Sequence, residues 1–180
     1  MDAPQPLTRR FGLDDQEAEV LRDLIARFSD ENGQDFLSVF ERIDAGQSLA
    51  EALDLSPGVS DLLYAQAHAR FNAGDNDRAL SLFQTLVLLA PDKRDHWLGL
   101  GIVMRVMGRL DTARLAFEAA EKLDTEGAVA RYHLAETLLH LQRRAEARRA
   151  IDAALAAPDS PGKHLVRREL ERLRAATEVG

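Results

Sequence analysis

The 180-residue chain repeats itself every 34 residues, and few sequence features restrict a fold as strongly. When Ser60, Arg94 and Ala128 are aligned as starts, Gly74 coincides with Gly108 and Gln142, and Ala79 with Ala113 and Ala147. Ala67 meets Gly101 and Ala135, Phe83 meets Phe117 and Ile151, and Leu86 meets Ala120 and Ala154. Each copy reads as a helix A, a turn at Gly74-Asp75 or Gly108-Arg109, and a helix B. Glycine suits that turn because it takes positive φ with no Cβ to clash. The small residues let the two helices approach closely, while Phe83 and Phe117 fill the space between copies. Pro91 ends the first helix B, since proline disfavours helix at the residue before it. One hairpin cannot bury its own apolar face, so the copies must stack, share a core and be capped at both ends.

Composition agrees with an all-α fold. Ala and Leu number 28 each, whereas Val, Ile and Thr together supply 19, and strand propensity resides mainly in β-branched residues. No cysteine is present, which removes disulfides and thiolate chemistry. No apolar run reaches membrane-spanning length, and the N-terminus lacks a basic-then-apolar signal, so a cytoplasmic protein is expected. A net charge of −7 argues against a dedicated nucleic-acid binder, whose affinity comes from neutralising phosphates. The charge is uneven: residues 1–142 carry 14 basic and 24 acidic side chains, and residues 143–174 carry 9 and 5. Arg143, Arg144, Arg148 and Arg149 recur around a helix whose other face is Ala and Ile, and this reads as a solvated face.

The segments outside the repeats read as caps. Residues 1–12, with Pro4 and Pro6, are expected to be disordered. In the helical region 13–58, Asp14 or Asp15 N-caps a helix with apolar positions Ala18, Leu21, Leu24, Ile25 and Phe28. Phe36 to Ile43 forms a second helix ending near Gly46. Ser48-Leu49-Ala50-Glu51 has capping-box spacing and opens a short third helix before Pro57. The repeats occupy 60–159. Within 160–180, an amphipathic helix over 163–177 follows the Pro158–Pro161 break and closes the array.

The middle copy places Trp97, Leu100, Gly101, Gly108, Ala113, Phe117 and Ala120 where a tetratricopeptide repeat has such residues, and residues 60–159 resemble that family. Two further stretches narrow the likeness: Phe40 to Leu55 (FERIDAGQSLAEALDL), and Leu63 to Gly74 followed by Ala79 to Leu86. Together with Trp97 to Gly101 and Tyr132 to Glu136, they resemble the class II chaperones of type III secretion, the SycD/LcrH-like translocator chaperones, over about residues 36–175. The third copy departs from the pattern at Arg131, where a bulky apolar residue is usual, and the first at Gln66, where Leu is usual.

The resemblance implies a chaperone in the cytoplasm of a Gram-negative bacterium. It would hold an extended segment of hydrophobic translocator proteins in a concave groove lined by the A helices. The register puts Asp61, Tyr64, His68, Phe71 and Asn72 on that face in the first copy. The second copy supplies Asp95, Leu98, Ile102, Arg105 and Val106, and the third Val129, Tyr132, Glu136, Leu139 and His140. The candidate peptide-binding set is Tyr64, His68, Phe71, Asn72, Leu98, Ile102, Arg105, Tyr132, Glu136 and Leu139. Because the family tends to dimerise through its N-terminal region, Leu21, Leu24, Ile25 and Phe28 are candidates for a homodimer contact.

Other readings fare worse. A carboxylate clamp for acidic C-terminal peptides needs Lys or Arg on helix A, and the corresponding positions hold Tyr64, His68, Gly99, Val129 and His133. His133, Glu136 and His140 share a helical face, but i to i+7 spans two turns, about 10 Å, and metal ligands must converge. Gly99-Leu100-Gly101 lies within a helix and serves close packing. With no phosphate loop, nucleophile elbow or paired catalytic carboxylates, a non-enzymatic protein without cofactor or metal is expected. The alternatives to the chaperone are an adaptor that scaffolds a complex and a regulator that partners a transcription activator.

Overall fold

The computed structural model describes Pro6, Thr8 and residues 13–124 and 126–178. Apart from Pro6 and Thr8, the stretch expected to be disordered, 1–12, lies outside the described residues. All regular structure among the described residues is helical, and the chain divides into two compact units. One comprises residues 1–60 with 88–90; the other comprises 61–87 with 91–180.

In the first unit, α1 (Asp15–Asn32) starts at Asp14, whose carboxylate accepts from the Glu17 N–H while the Glu17 side chain accepts from the Asp14 N–H. It ends at Gly33, which takes the left-handed conformation. The buried Ser29 hydroxyl donates to the Ile25 carbonyl and accepts from the Leu37 N–H, fixing the entry to α2 (Phe36–Asp44). Ser48 and Glu51 form the reciprocal cap of α3 (Leu49–Ala52). Arg42 joins α2 to the segment after it, donating to the carbonyls of Glu51 and Ala52 and gripping the Asp54 carboxylate.

Asp44 closes α2 as a buried carboxylate, which must be compensated to be tolerated. The Thr8 N–H and hydroxyl both donate to it at 2.9 Å, and Arg22 of α1 adds a third bond at 2.9 Å. Burial alone would raise the Asp44 carboxyl, but these donors and the Arg22 charge hold it below the usual carboxylate range.

The second unit carries the repeats. Helices α4 (Pro57–Asn72), α6 (Arg94–Val106) and α8 (Ala128–His140) are the A helices. Helices α5 (Asn76–Leu89), α7 (Leu110–Leu123) and α9 (Arg144–Ala156) are the B helices. Every A–B turn passes through one left-handed residue, with φ of 78° at Gly74, 74° at Gly108 and 60° at Gln142. The third copy therefore keeps the turn without its glycine.

Phe83, Phe117 and Ile151 are all fully buried. Gly99 and Gly101 face the rings of Phe83 and Phe117, and a Cβ on either would overlap the ring. In the third copy the position of Gly99 is occupied by His133, whose ring stacks on Phe117 at 5.3 Å. Arg131 is accommodated because its Nε donates to Glu121 of α7 at 2.9 Å.

Helix α10 (Pro161–Glu178) starts two residues before the expected 163, since proline is pre-organised for the first helical position and Ser160 caps the Lys163 N–H. Its Leu170 is fully buried in a cluster with Ala128, Ala135, Ile151 and Ala154. Leu165 points to solvent at 82% exposure.

Candidate functional site

The A helices carry the whole sequence-derived set. The set divides by chemistry. At α4, Tyr64 is half-buried with its ring 4.5 Å from His68 and 5.9 Å from His96 of α6, and both Tyr64 and His68 meet Phe83 edge-on. Burial, with the Asp95 charge nearby, raises the Tyr64 hydroxyl above its ordinary pKa, so it stays an uncharged donor at neutral pH. The His68 Nε2 is buried and has no hydrogen-bond partner. Phe71 is partly exposed beside this cluster, and Asn72 is exposed at the helix end.

Helix α6 contributes Ile102 and Arg105, both partly open, whereas Leu98 lies elsewhere. At 9% exposure it belongs to the core with Phe117, Leu134 and Leu138. Register placed Leu98 on the helix-A face, but its side chain enters the contact between copies; the neighbouring Gly99 and Gly101 allow that approach.

Helix α8 contributes Tyr132, Glu136 and Leu139, all partly exposed. Glu136 stands 3.1 Å from Arg105 across the two A helices and 3.6 Å from His133 Nδ1. Burial alone would raise the Glu136 carboxyl, but His133, Arg105 and the Tyr132 hydroxyl around it hold it below the usual carboxylate range. Tyr132 is raised in turn by burial and by the adjacent Glu136 charge. Sequence reasoning placed Arg105 and Glu136 on this face but missed their pairing. It left His133, weighed as a metal ligand or clamp position and preferred as a groove or interface histidine, out of the candidate set. Register alone held the signal, since 105 and 139 are equivalent positions and 136 lies one turn before 139.

These features, stacked A–B hairpins with a left-handed residue at each turn, match known repeats. Models of the tetratricopeptide repeat match residues 64–128 and 107–166, together more than half of the chain. The chain belongs to the tetratricopeptide-repeat family. Among solved structures, a type III secretion complex from Aeromonas hydrophila is 26% identical with a TM-score of 0.69, covering 78% of this chain and 97% of that one. The translocator chaperone SycD of Yersinia enterocolitica is 25% identical with a TM-score of 0.64, covering 75% and 99%. PcrH of Pseudomonas aeruginosa, solved with the chaperone binding region of PopD, is 25% identical with a TM-score of 0.66, covering 69% and 94%. No curated protein matches the chain by sequence.

The resemblance to class II type III secretion chaperones read from the residues is thereby borne out. Tetratricopeptide arrays of this kind bind proteins and are not enzymes. No helix among the described residues is long and apolar enough to cross a membrane.

Proposed function

We propose that this protein is a cytoplasmic chaperone of type III secretion that holds an extended segment of a hydrophobic translocator against its helix-A face. One observation carries the reading: Tyr64, Phe71, Ile102, Tyr132 and Leu139 stay partly exposed on successive A helices. Apolar surface retained in this way marks a partner site. The structure of PcrH with a segment of PopD supports it. A segment held in near-extended form loses little entropy on docking, and covering it keeps apolar surface of the client from aggregating. The mechanism is passive. No nucleotide enters it, so release falls to competition or to the secretion machinery.

The reading includes a homodimer. Leu24 and Phe28 of α1 are exposed, with Leu21 and Ile25 partly covered beside them, and we assign them to the contact.

The test is a titration with a labelled peptide of the PopD chaperone binding region, comparing wild type with Tyr64→Ala, Phe71→Ala. Truncating two interface aromatics is expected to weaken binding at least about tenfold. Equal affinity for the two proteins would overturn the reading.

A further inference from the structure

The repeat places Tyr64, Leu98 and Tyr132 at equivalent positions, with His68, Ile102 and Glu136 four residues after them. Side chains at that spacing meet on one face of a helix. In the first copy the Tyr64 ring meets His68 edge-on at 4.5 Å and lies 5.9 Å from His96. In the third, the Tyr132 hydroxyl donates to the Glu136 carboxylate, and the ring lies 4.9 Å from His133. The middle copy has neither partner: Leu98 enters the core and Ile102 packs against the same cluster. A polar or aromatic prop thus accompanies each tyrosine and is missing where the tyrosine is missing.

A carboxylate is a demanding choice for that role. The Glu136 side chain is 21% exposed, and a charge drawn that far from water needs compensation. Arg105 of α6 supplies it at 3.1 Å, and His133 Nδ1 stands 3.6 Å away. His133 is itself fixed by stacking on the fully buried Phe117. Isoleucine at the equivalent position 102 shows that packing alone needs no charge there. Apolar replacement of a buried ion pair is often neutral or stabilising, so stability does not account for Glu136. What the cluster fixes is Tyr132, with its ring against His133 and its hydroxyl on a carboxylate tied to the neighbouring A helix.

We infer that Glu136 is a positioning residue: held by Arg105, it fixes the Tyr132 ring as a preformed wall for the client segment and does not touch the client. The inference rests on the chaperone reading and deepens it by separating residues that meet the client from those that set them in place. A side chain left free at a docking face loses rotamer freedom when a partner immobilises it, and that loss weakens binding. Tyr132 has given up this freedom before the client arrives. Arg105 and Glu136, which register put among the peptide contacts, stand behind the anchors instead.

The test is a double-mutant cycle read with the labelled peptide of the preceding titration. Tyr132→Phe removes the hydroxyl and keeps the ring, while Glu136→Gln removes the charge that Arg105 holds and keeps the size. Each is expected to weaken binding about three- to tenfold. The double variant is expected to bind no more weakly than the weaker single variant, because both changes break one connection. If Glu136 touches the client directly, Glu136→Gln weakens binding as much in the Tyr132→Phe background as in wild type, and that result overturns the inference. A brace of the fold alone would lower the urea midpoint and leave the affinity of the folded protein unchanged, which overturns it too. Should Glu136→Gln fail to fold, Tyr132→Phe decides: affinity equal to wild type overturns the inference, and a loss of about threefold or more supports it. In all these outcomes the chaperone reading stands; it falls, and the inference with it, when wild-type protein does not bind the peptide.

Discussion

Gln142 shows how far a single residue can be read. The repeat aligns it with Gly74 and Gly108, and all three take positive φ. A residue with a Cβ is held there at a cost of about 1–2 kcal/mol, against which glycine adds chain entropy to the unfolded state. Gln142→Gly is therefore expected to stabilise the protein by about 0.5–1 kcal/mol, read as a higher urea midpoint with unchanged slope. Gly99 and Gly101 behave oppositely. Their Cα atoms sit against the Phe83 and Phe117 rings, where a methyl group does not fit. Gly99→Ala or Gly101→Ala should each cost about 1–3 kcal/mol by overpacking, measured by the same titration. That glycines inside a helix serve packing was legible from the sequence; which ring each one faces was not, because that depends on the neighbouring helix.

At the scale of elements, the caps were the most readable features. Asp14 with Glu17, and Ser48 with Glu51, form local hydrogen bonds whose spacing is written in four consecutive residues. The Asp44 site was invisible, since Thr8 and Arg22 reach it from 36 and 22 residues away. It makes a pH-dependent prediction. The Asp44 carboxyl titrates lower in the folded state than in the unfolded chain. The stability it contributes is thus full above the ordinary carboxylate range and lost as pH falls through its folded value. Asp44→Asn should lower the thermal midpoint at pH 7 and shrink the difference between pH 7 and pH 3. An acid dependence identical to wild type would show that the three donors contribute nothing.

At the scale of the molecule, one prediction concerns assembly. Large apolar side chains left exposed along α1, including Val20, Leu24 and Phe28, need a cover, which the proposed homodimer supplies. Leu21→Asp, Leu24→Asp should sediment as a monomer while wild type sediments as a dimer, and a variant that stays dimeric would rule α1 out as the contact.

The sequence by itself determined the all-helical class, the 34-residue period, the turns and the caps. Each follows from residues close together in the chain or from strict repetition. Tertiary structure alone decided that Leu98 is core and not surface, that Arg131 is neutralised by Glu121, and that Arg105 meets Glu136 across two A helices. Period fixes which way a side chain sets out from its helix; what it meets there depends on the distance to the next helix and on the side chains already in between.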